Sequence, residues 1–198
     1  GLAREGYKAT GIDLSDGMIR GAKQLADREG LDVSLYIAPW SDETRIKLKW
    51  DKTFDFAYSF FCPVMYDVDN IRAMHDTSRN TCLWVAFSER HDEIVDMLSD
   101  HFFGRDAFPW HDKMEESLAA IHEMGHNVKV TYKTVPETEV MSLDKAVEYF
   151  TMRLHNNGWG TMDAMKEEIR NLIEPLAVNG EITNCTVDKV AWVTWCVQ

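Results

Sequence analysis

Hydrophobic and polar residues follow two different periods along this chain, and the two periods alternate. Short runs that are apolar or alternate with polar residues predict strands over residues 7–13, 33–38, 54–60, 81–88, 128–135 and 189–197. Apolar residues at helical spacing predict helices over residues 15–30, 69–76, 92–103, 114–124, 143–154 and 162–172. Residues 39–51 are predicted to form a turn region. Strands separated by helices indicate an open α/β sheet.

The first predicted helix has signals at both of its ends. Ser15 is a suitable N-cap, and Asp16 favours the positive end of the helix dipole. Gly30 predicts the end of the helix. One face carries the apolar positions Met18, Ile19, Ala22, Leu25 and Ala26.

Three later segments are predicted to differ in burial. Residues 54–60 are rich enough in apolar side chains to be covered on both faces, whereas residues 128–135 alternate as a half-exposed strand does. Residues 189–197 are apolar on both faces, which predicts an interior strand at the end of the chain. The two helices before it form an insertion at about residues 142–180, which we expect to cover the substrate as a lid.

Composition narrows the class of protein. The 198 residues suit one domain over 1–198, and hydrophobic residues at 45% exclude a disordered chain. No apolar run approaches the roughly 20 residues of a membrane span, and the start does not resemble a signal peptide. The formal charge of −12 opposes binding to nucleic acid. We expect a cytoplasmic protein with a small-molecule substrate; its oligomeric state is open, and a homo-oligomer is compatible with the sequence.

The cysteines show no pairing pattern. Cys62, Cys82, Cys185 and Cys196 share no close spacing, as a metal site or disulfide framework would require. We interpret them as buried thiols in a reducing cytosol.

Asp13 is the most informative residue of the chain, because it ends the first predicted strand directly before a capped helix. In nucleotide-binding α/β sheets a carboxylate at this place accepts hydrogen bonds from the ribose hydroxyls. The glycine-rich loop of such sheets lies about 20 residues earlier, which here is before Gly1. The alternative is a surface aspartate that caps a turn.

These residues resemble the class I S-adenosylmethionine-dependent methyltransferases. In that family a helix ending like residues 2–7 leads into a strand like residues 9–13, and residues 54–59 are similar to its fourth strand. The resemblance covers nearly the whole chain except the first strand and its glycine-rich turn, so the domain would be incomplete at its N-terminus. It implies a Rossmann-like, mostly parallel sheet with helices on both faces and an antiparallel C-terminal strand inserted between two others. It also implies S-adenosylmethionine as cofactor and methyl transfer as the reaction.

The resemblance places the cofactor along one edge of this sheet. The implied cofactor-binding residues are Asp13, Leu14, Met18, Pro39, Trp40, Ser41 and Ser59. Pro39 stands where the family usually has an acidic residue for the adenine amine, so the main chain near Ser41 or the side chain of Asp42 would take that role. Trp40 would stack on adenine or be a half-buried core aromatic, and Met18 would pad the ribose and adenine or belong to the core.

The implied substrate edge follows residues 54–60. The residues expected to bind the acceptor are Phe60, Phe61, Cys62, Pro63, Tyr66 and, from a lid, Trp110. Methyltransferases that modify planar exocyclic amines have Asn or Asp, then Pro-Pro and an aromatic residue at this place. This chain has Phe61-Cys62-Pro63-Val64 instead. Modification of adenine is therefore disfavoured, and the acceptor that we expect is a small molecule.

A general base is needed only if the acceptor arrives protonated. Tyr66, His75 and His111 are the candidates, and histidine is favoured because its ordinary pKa lies nearest neutrality. Each has an alternative interpretation as a rim or helix-surface residue.

One segment matches a zinc-binding motif in sequence, but the helix that this motif requires is not expected there. His122-Glu123-Met124-Gly125-His126 matches H-E-x-x-H. Gly125 is a natural helix terminator and a strand begins soon after it, so His126 should leave the helical face. We expect no metal there.

Two other functions stay open. Nicotinamide dehydrogenases place a carboxylate at the position of Asp13, although nothing here resembles their Tyr-x-x-x-Lys pair. A catalytically silent, methyltransferase-like binding or assembly subunit is the other, because the glycine-rich loop does not occur within these residues.

Overall fold

The computed structural model of the chain describes residues 1–104, 111–156 and 162–197. The strands are Ala9–Asp13 (β1), Val33–Ile37 (β2), Phe54–Phe60 (β3), Ser78–Asp92 (β4), Val128–Ser142 (β5) and Glu181–Cys196 (β6). The helices are Asp16–Glu29 (α1), Asp42–Leu48 (α2), Val68–Thr77 (α3), Glu93–Phe103 (α4), His111–Glu123 (α5), Leu143–Asn156 (α6) and Met162–Ile173 (α7). The predicted α/β class is confirmed.

The described strands form two sheets. β1 and β2 pair in parallel, with Asp13 opposite Ile37, and the other sheet has the order β3-β4-β6-β5. Asn80, near the start of β4, contacts Val197 directly after the end of β6, and Ser88, further along β4, contacts Lys189, which lies earlier in β6. β6 is therefore antiparallel to β4 and lies inside its sheet, as the pattern of residues 189–197 predicts.

Local signals set the first helix as predicted. The Ser15 hydroxyl accepts a hydrogen bond from the Met18 amide, which satisfies one free donor of the first turn. Gly30 ends α1 at φ 64°, in the left-handed region that favours glycine. Ile19 and Ala26 on the predicted face are buried.

The predicted turn over residues 39–51 is wrong, because this stretch contains α2. Ser41 caps the helix by accepting a hydrogen bond from the Thr44 amide, and Asp42 and Glu43 lie in the positively charged first turn. The buried Arg45 holds the helix in place through ion pairs with Asp42 and Asp51.

The prediction that residues 54–60 are covered on both faces is also wrong. β3 lies at one end of its four-stranded sheet, so among the described residues it has a strand neighbour on one side only. Its aromatic side chains on one face are exposed, from 39% at Phe56 to 48% at Tyr58. Apolar composition alone does not reveal whether a neighbouring strand is present.

The described parts of the chain form two compact units. One contains residues 1–83, 117–128 and the chain from 194, and the other contains residues 84–116 and 129–193. The largest buried side chains of the first unit include Ile71, Ile121 and Trp195. In the second unit α4, α6 and α7 bury one apolar cluster, with Leu98, Phe150 and Ile169 at its centre.

Three further sequence expectations concern cysteines, metals and membranes. The four cysteines are free thiols, but only Cys82 is buried; Cys196 is exposed at the end of β6, so the expectation of buried thiols is wrong for the other three. Within the described ranges, no group of three or more potential ligands could hold a metal ion. No helix described there is both long and apolar enough to span a membrane.

Candidate functional site

Asp13 ends β1 with its side chain exposed. Its main-chain carbonyl accepts a hydrogen bond from the Ala38 amide at 3.1 Å, which ties the end of β1 to the turn after β2. One carboxylate oxygen accepts from the Ser15 amide at 2.7 Å. The other oxygen has no hydrogen-bond partner in the described part of the chain. Asp13 therefore caps the turn and still offers a carboxylate oxygen to a ligand.

Large apolar side chains surround this carboxylate along the chain and across the parallel pair. Leu14, Met18 and Ile37 are exposed by 72%, 65% and 55%. Met18 is thus not a core residue. Ile37 was not among the predicted residues, although its place opposite Asp13 follows from the parallel register. Several exposed apolar side chains near one another, in contrast to a single one, are typical of a binding surface.

The end of β3 lies close to Asp13. Burial raises the pKa of the Cys62 thiol, and the nearby Asp13 carboxylate raises it further, whereas a hydrogen bond with Ser59 opposes the rise. Phe61 has φ 50°, a conformation that costs a bulky residue about 1–3 kcal/mol and that concentrates at functional sites. Phe60 and Phe61 are exposed, as is Pro63. The structure brings these predicted substrate residues to the same edge as Asp13.

Trp40 is half-buried in the turn after β2, and its indole N–H donates to the main-chain carbonyl of Asn70 at 3.1 Å. The ring is therefore fixed by a hydrogen bond while part of it stays accessible. Pro39 beside it is exposed, and Ser41 is occupied as the cap of α2. The carboxylate of the neighbouring Asp42 is paired with Arg45, so this turn offers its main chain and the indole ring to a ligand.

The structure describes the side chains of two of the three candidate bases, Tyr66 and His75. Tyr66 is buried at the end of a short 3-10 turn over Pro63–Tyr66. His111 begins α5, but its side chain and all of Trp110 lie outside the described residues.

His75 lies at the opposite end of β3 from Phe60. The amides of Lys52 and Thr53, directly before β3, donate to the carbonyls of Asp76 and Thr77 at the end of α3. A strand of this length spans about 20 Å, at about 3.3 Å per residue. His75 therefore lies about one strand length away from the sheet edge that carries Asp13.

His75 instead forms a small cluster with Trp195 and His126. The Trp195 indole N–H donates to His75 Nδ1 at 3.4 Å, and the rings of His75 and His126 are 4.6 Å apart. His126 has left α5, which ends at Glu123 before Gly125 at φ 83°, as predicted for the letters H-E-x-x-H. Burial lowers the pKa of His75, and Lys52 and His126 lower it further, whereas Asp76 opposes the shift.

This cluster predicts a dependence of stability on pH. The folded-state pKa of His75 is lowered, so its stabilising contribution is present above the ordinary histidine pKa and is lost as pH falls through the lowered value. Protonation at Nδ1 also removes the acceptor for Trp195. We expect His75→Gln, which keeps an acceptor without titrating, to lose less free energy of unfolding than the parent between pH 7.5 and 5. Urea titrations measure this; the exposed His122→Gln is the control, and equal losses in all three proteins would contradict it.

Comparisons with known proteins address the fold. No family model matches the chain, and no curated protein matches it either. Among solved structures it is similar to the YcgJ protein of Bacillus subtilis, with TM-score 0.53 and 14% identity over 96% of this chain and 82% of that one. A provisionally named methyltransferase of Bacillus halodurans gives TM-score 0.52 and 10% identity over 96% and 83% of the two chains. A provisionally named type II methyltransferase of Anaeromyxobacter dehalogenans gives 0.51 and 13% over 96% and 80%. The predicted Rossmann-like α/β fold is confirmed.

Proposed function

We propose that this chain binds S-adenosylmethionine and transfers its methyl group to a small molecule at the edge formed by the ends of β1, β2 and β3. The observation that carries the proposal is the Asp13 carboxylate, which keeps one oxygen open to solvent beside the exposed Leu14, Met18 and Ile37. A ribose diol needs a charged acceptor, and an adenine ring needs apolar surface, so this pairing of groups suits a nucleoside.

The residues of this edge fit the cofactor part by part. Asp13 would hold the ribose, and the fixed indole of Trp40 and the main chain at Ser41 would flank the adenine. When bound, S-adenosylmethionine would supply a methyl group on a sulfonium; the nucleophile of the acceptor would bond to the methyl carbon as the carbon–sulfur bond breaks and S-adenosylhomocysteine leaves. The chain then contributes mainly alignment, which is worth roughly 7–11 kcal/mol in well-oriented reactions.

The acceptor side is apolar. Phe60, Phe61 and Val64 are exposed at the end of β3, and no carboxamide precedes Pro63, which argues against the exocyclic amine of adenine. The raised pKa of Cys62 keeps its thiol protonated near neutrality, so this side chain does not compete for the methyl group. A small acceptor with an apolar body is therefore the substrate class we propose.

Calorimetric titration of the purified chain tests the proposal. We expect saturable binding of S-adenosylhomocysteine and of S-adenosylmethionine, and none of NADH. Transfer is then read by mass spectrometry, with deuterated-methyl cofactor and a panel of small apolar acceptors. Binding of NADH alone would indicate a dehydrogenase, binding without transfer to any acceptor a silent subunit, and no binding at all would overturn the cofactor assignment.

A further inference from the structure

We propose that Asn70 is a positioning residue that couples the two halves of this edge; the proposal rests on the function proposed above. We call residues 38–41 the cofactor turn and residues 61–66 the substrate loop. The cofactor turn follows β2 and the substrate loop follows β3. Asn70 lies in neither, but it contacts both from the first turn of α3.

The first contact fixes the cofactor turn. The main-chain carbonyl of Asn70 accepts the indole N–H of Trp40 at 3.1 Å. This carbonyl belongs to a helix, so its direction is set by the helix axis. The plane of the Trp40 ring is thereby set by α3 and not by the turn alone.

The second contact fixes the substrate loop. The Asn70 carboxamide N–H donates to the Val64 carbonyl at 2.9 Å. The same carbonyl also accepts from the Asp67 amide at 3.2 Å. The carboxamide thus closes the loop against the helix, and neither alanine nor aspartate can donate in its place at neutral pH.

Asn70 is itself held in position. Asp67 caps α3, and its carboxylate accepts from the Asp69 amide at 2.8 Å and from the Asn70 amide at 3.4 Å. A capped first turn is a rigid support. The substrate loop and Trp40 bind different groups of the same residue, so we expect a displacement of one to be transmitted to the other through Asn70.

The coupling has a measurable consequence. If the contacts with Trp40 and with the substrate loop both act through Asn70, loss of the Asn70 carboxamide already removes part of the contribution that Trp40 makes to ligand affinity. The fold-loss of ligand affinity in the double variant Trp40→Phe/Asn70→Ala should then be smaller than the product of the two fold-losses in the single variants. We expect each single variant to weaken S-adenosylhomocysteine binding about threefold to tenfold, the effect of one lost hydrogen bond.

The experiment combines this cycle with a readout that needs no ligand. Trp40 is identified in the indole N–H spectrum by its loss in Trp40→Phe. In Asn70→Ala, and in the isosteric Asn70→Asp as a second variant, we expect the Trp40 signal to shift and its hydrogen exchange to accelerate. Asp69→Ala, one residue away on the same turn and exposed, is the matched control and should leave the signal in place.

The outcomes separate the two proposals. An unmoved Trp40 signal in both Asn70 variants, or affinities that multiply in the double variant, would overturn the coupling. If the parent chain does not bind S-adenosylhomocysteine, the proposed function fails, and the indole signal still decides whether Asn70 links the turn and the loop.

Discussion

Asp13→Asn is expected to weaken S-adenosylhomocysteine binding about 10- to 100-fold, because hydrogen bonds to a charged group are worth roughly 1.5–3 kcal/mol. Asparagine keeps an oxygen for the Ser15 amide, which Asp13 binds at 2.7 Å, so the turn into α1 stays intact. What is lost is the charge that would accept both ribose hydroxyls. The free energy of unfolding should change by less than about 0.5 kcal/mol, as is usual for an exposed site.

Calorimetry gives the affinity, and urea unfolding gives the stability. Asp16→Asn is the matched control, since Asp16 is an exposed carboxylate three residues away that pairs with Arg20 on the surface of α1. The affinity of Asp16→Asn for S-adenosylhomocysteine should stay within about twofold of the parent's, because losing an exposed ion pair of this kind changes the energy of the protein little. An equal loss in both variants would mean that overall charge, and not the position of Asp13, governs binding.

Elements defined by local signals could be predicted from the sequence. The cap at Ser15, the end at Gly30 and the strand before Asp13 depend on neighbouring residues only, and the structure has them where the pattern places them. The interior position of the last strand was also predicted correctly from residues that are apolar on both faces, although the same criterion failed for residues 54–60. The observed order with β6 between β4 and β5 agrees.

Features that depend on distant partners could not be predicted in this way. Helix α2 is an exception that local signals could have revealed, because Ser41 caps it and the Arg45 partners Asp42 and Asp51 lie only three and six residues away. Only the contact of Arg45 with Asp76 on α3 depends on a distant partner. The exposure of β3 depends on which strands lie beside it, and composition carries no such information.

The site divides in the same way. Asp13 follows from its place at the end of a strand, and Ile37 follows once the register is known. Asn70 has no sequence signal, since its two contacts reach six residues back to Val64 and 30 residues back to Trp40. His75 lies at the far end of β3 because α3 runs back along that strand, as a helix between parallel strands must. Its distance from Asp13 therefore follows from the predicted fold class, although not from the chemistry of histidine.

A second large effect is expected in the other compact unit, at an ion pair between β4 and β6. Arg90 Nε and Asp188 Oδ1 are 3.1 Å apart, with side chains exposed by only 23% and 11%. Burial raises the pKa of Asp188, and Arg90 and Arg153 only partly oppose the rise. The carboxylate therefore loses more hydration free energy on burial than it regains from its attraction to the two arginines, which is typical of buried pairs.

Asp188→Ala should destabilise the chain by about 2–4 kcal/mol, because the largely buried Arg90 loses its counter-ion. The double variant Arg90→Met/Asp188→Leu should be closer to the parent than Asp188→Ala is, since Arg90 is then not left without its counter-ion and only Arg153 loses the nearby carboxylate. Urea unfolding at pH 7 measures both.

The pair Arg79 and Asp55 provides the control: its atoms are also 3.1 Å apart, but its side chains are 51% and 75% exposed. Asp55→Ala should therefore cost less than about 1 kcal/mol. If Asp188→Ala were as mild as Asp55→Ala, or the double variant as unstable as the single one, desolvation would not be the term that dominates at this pair.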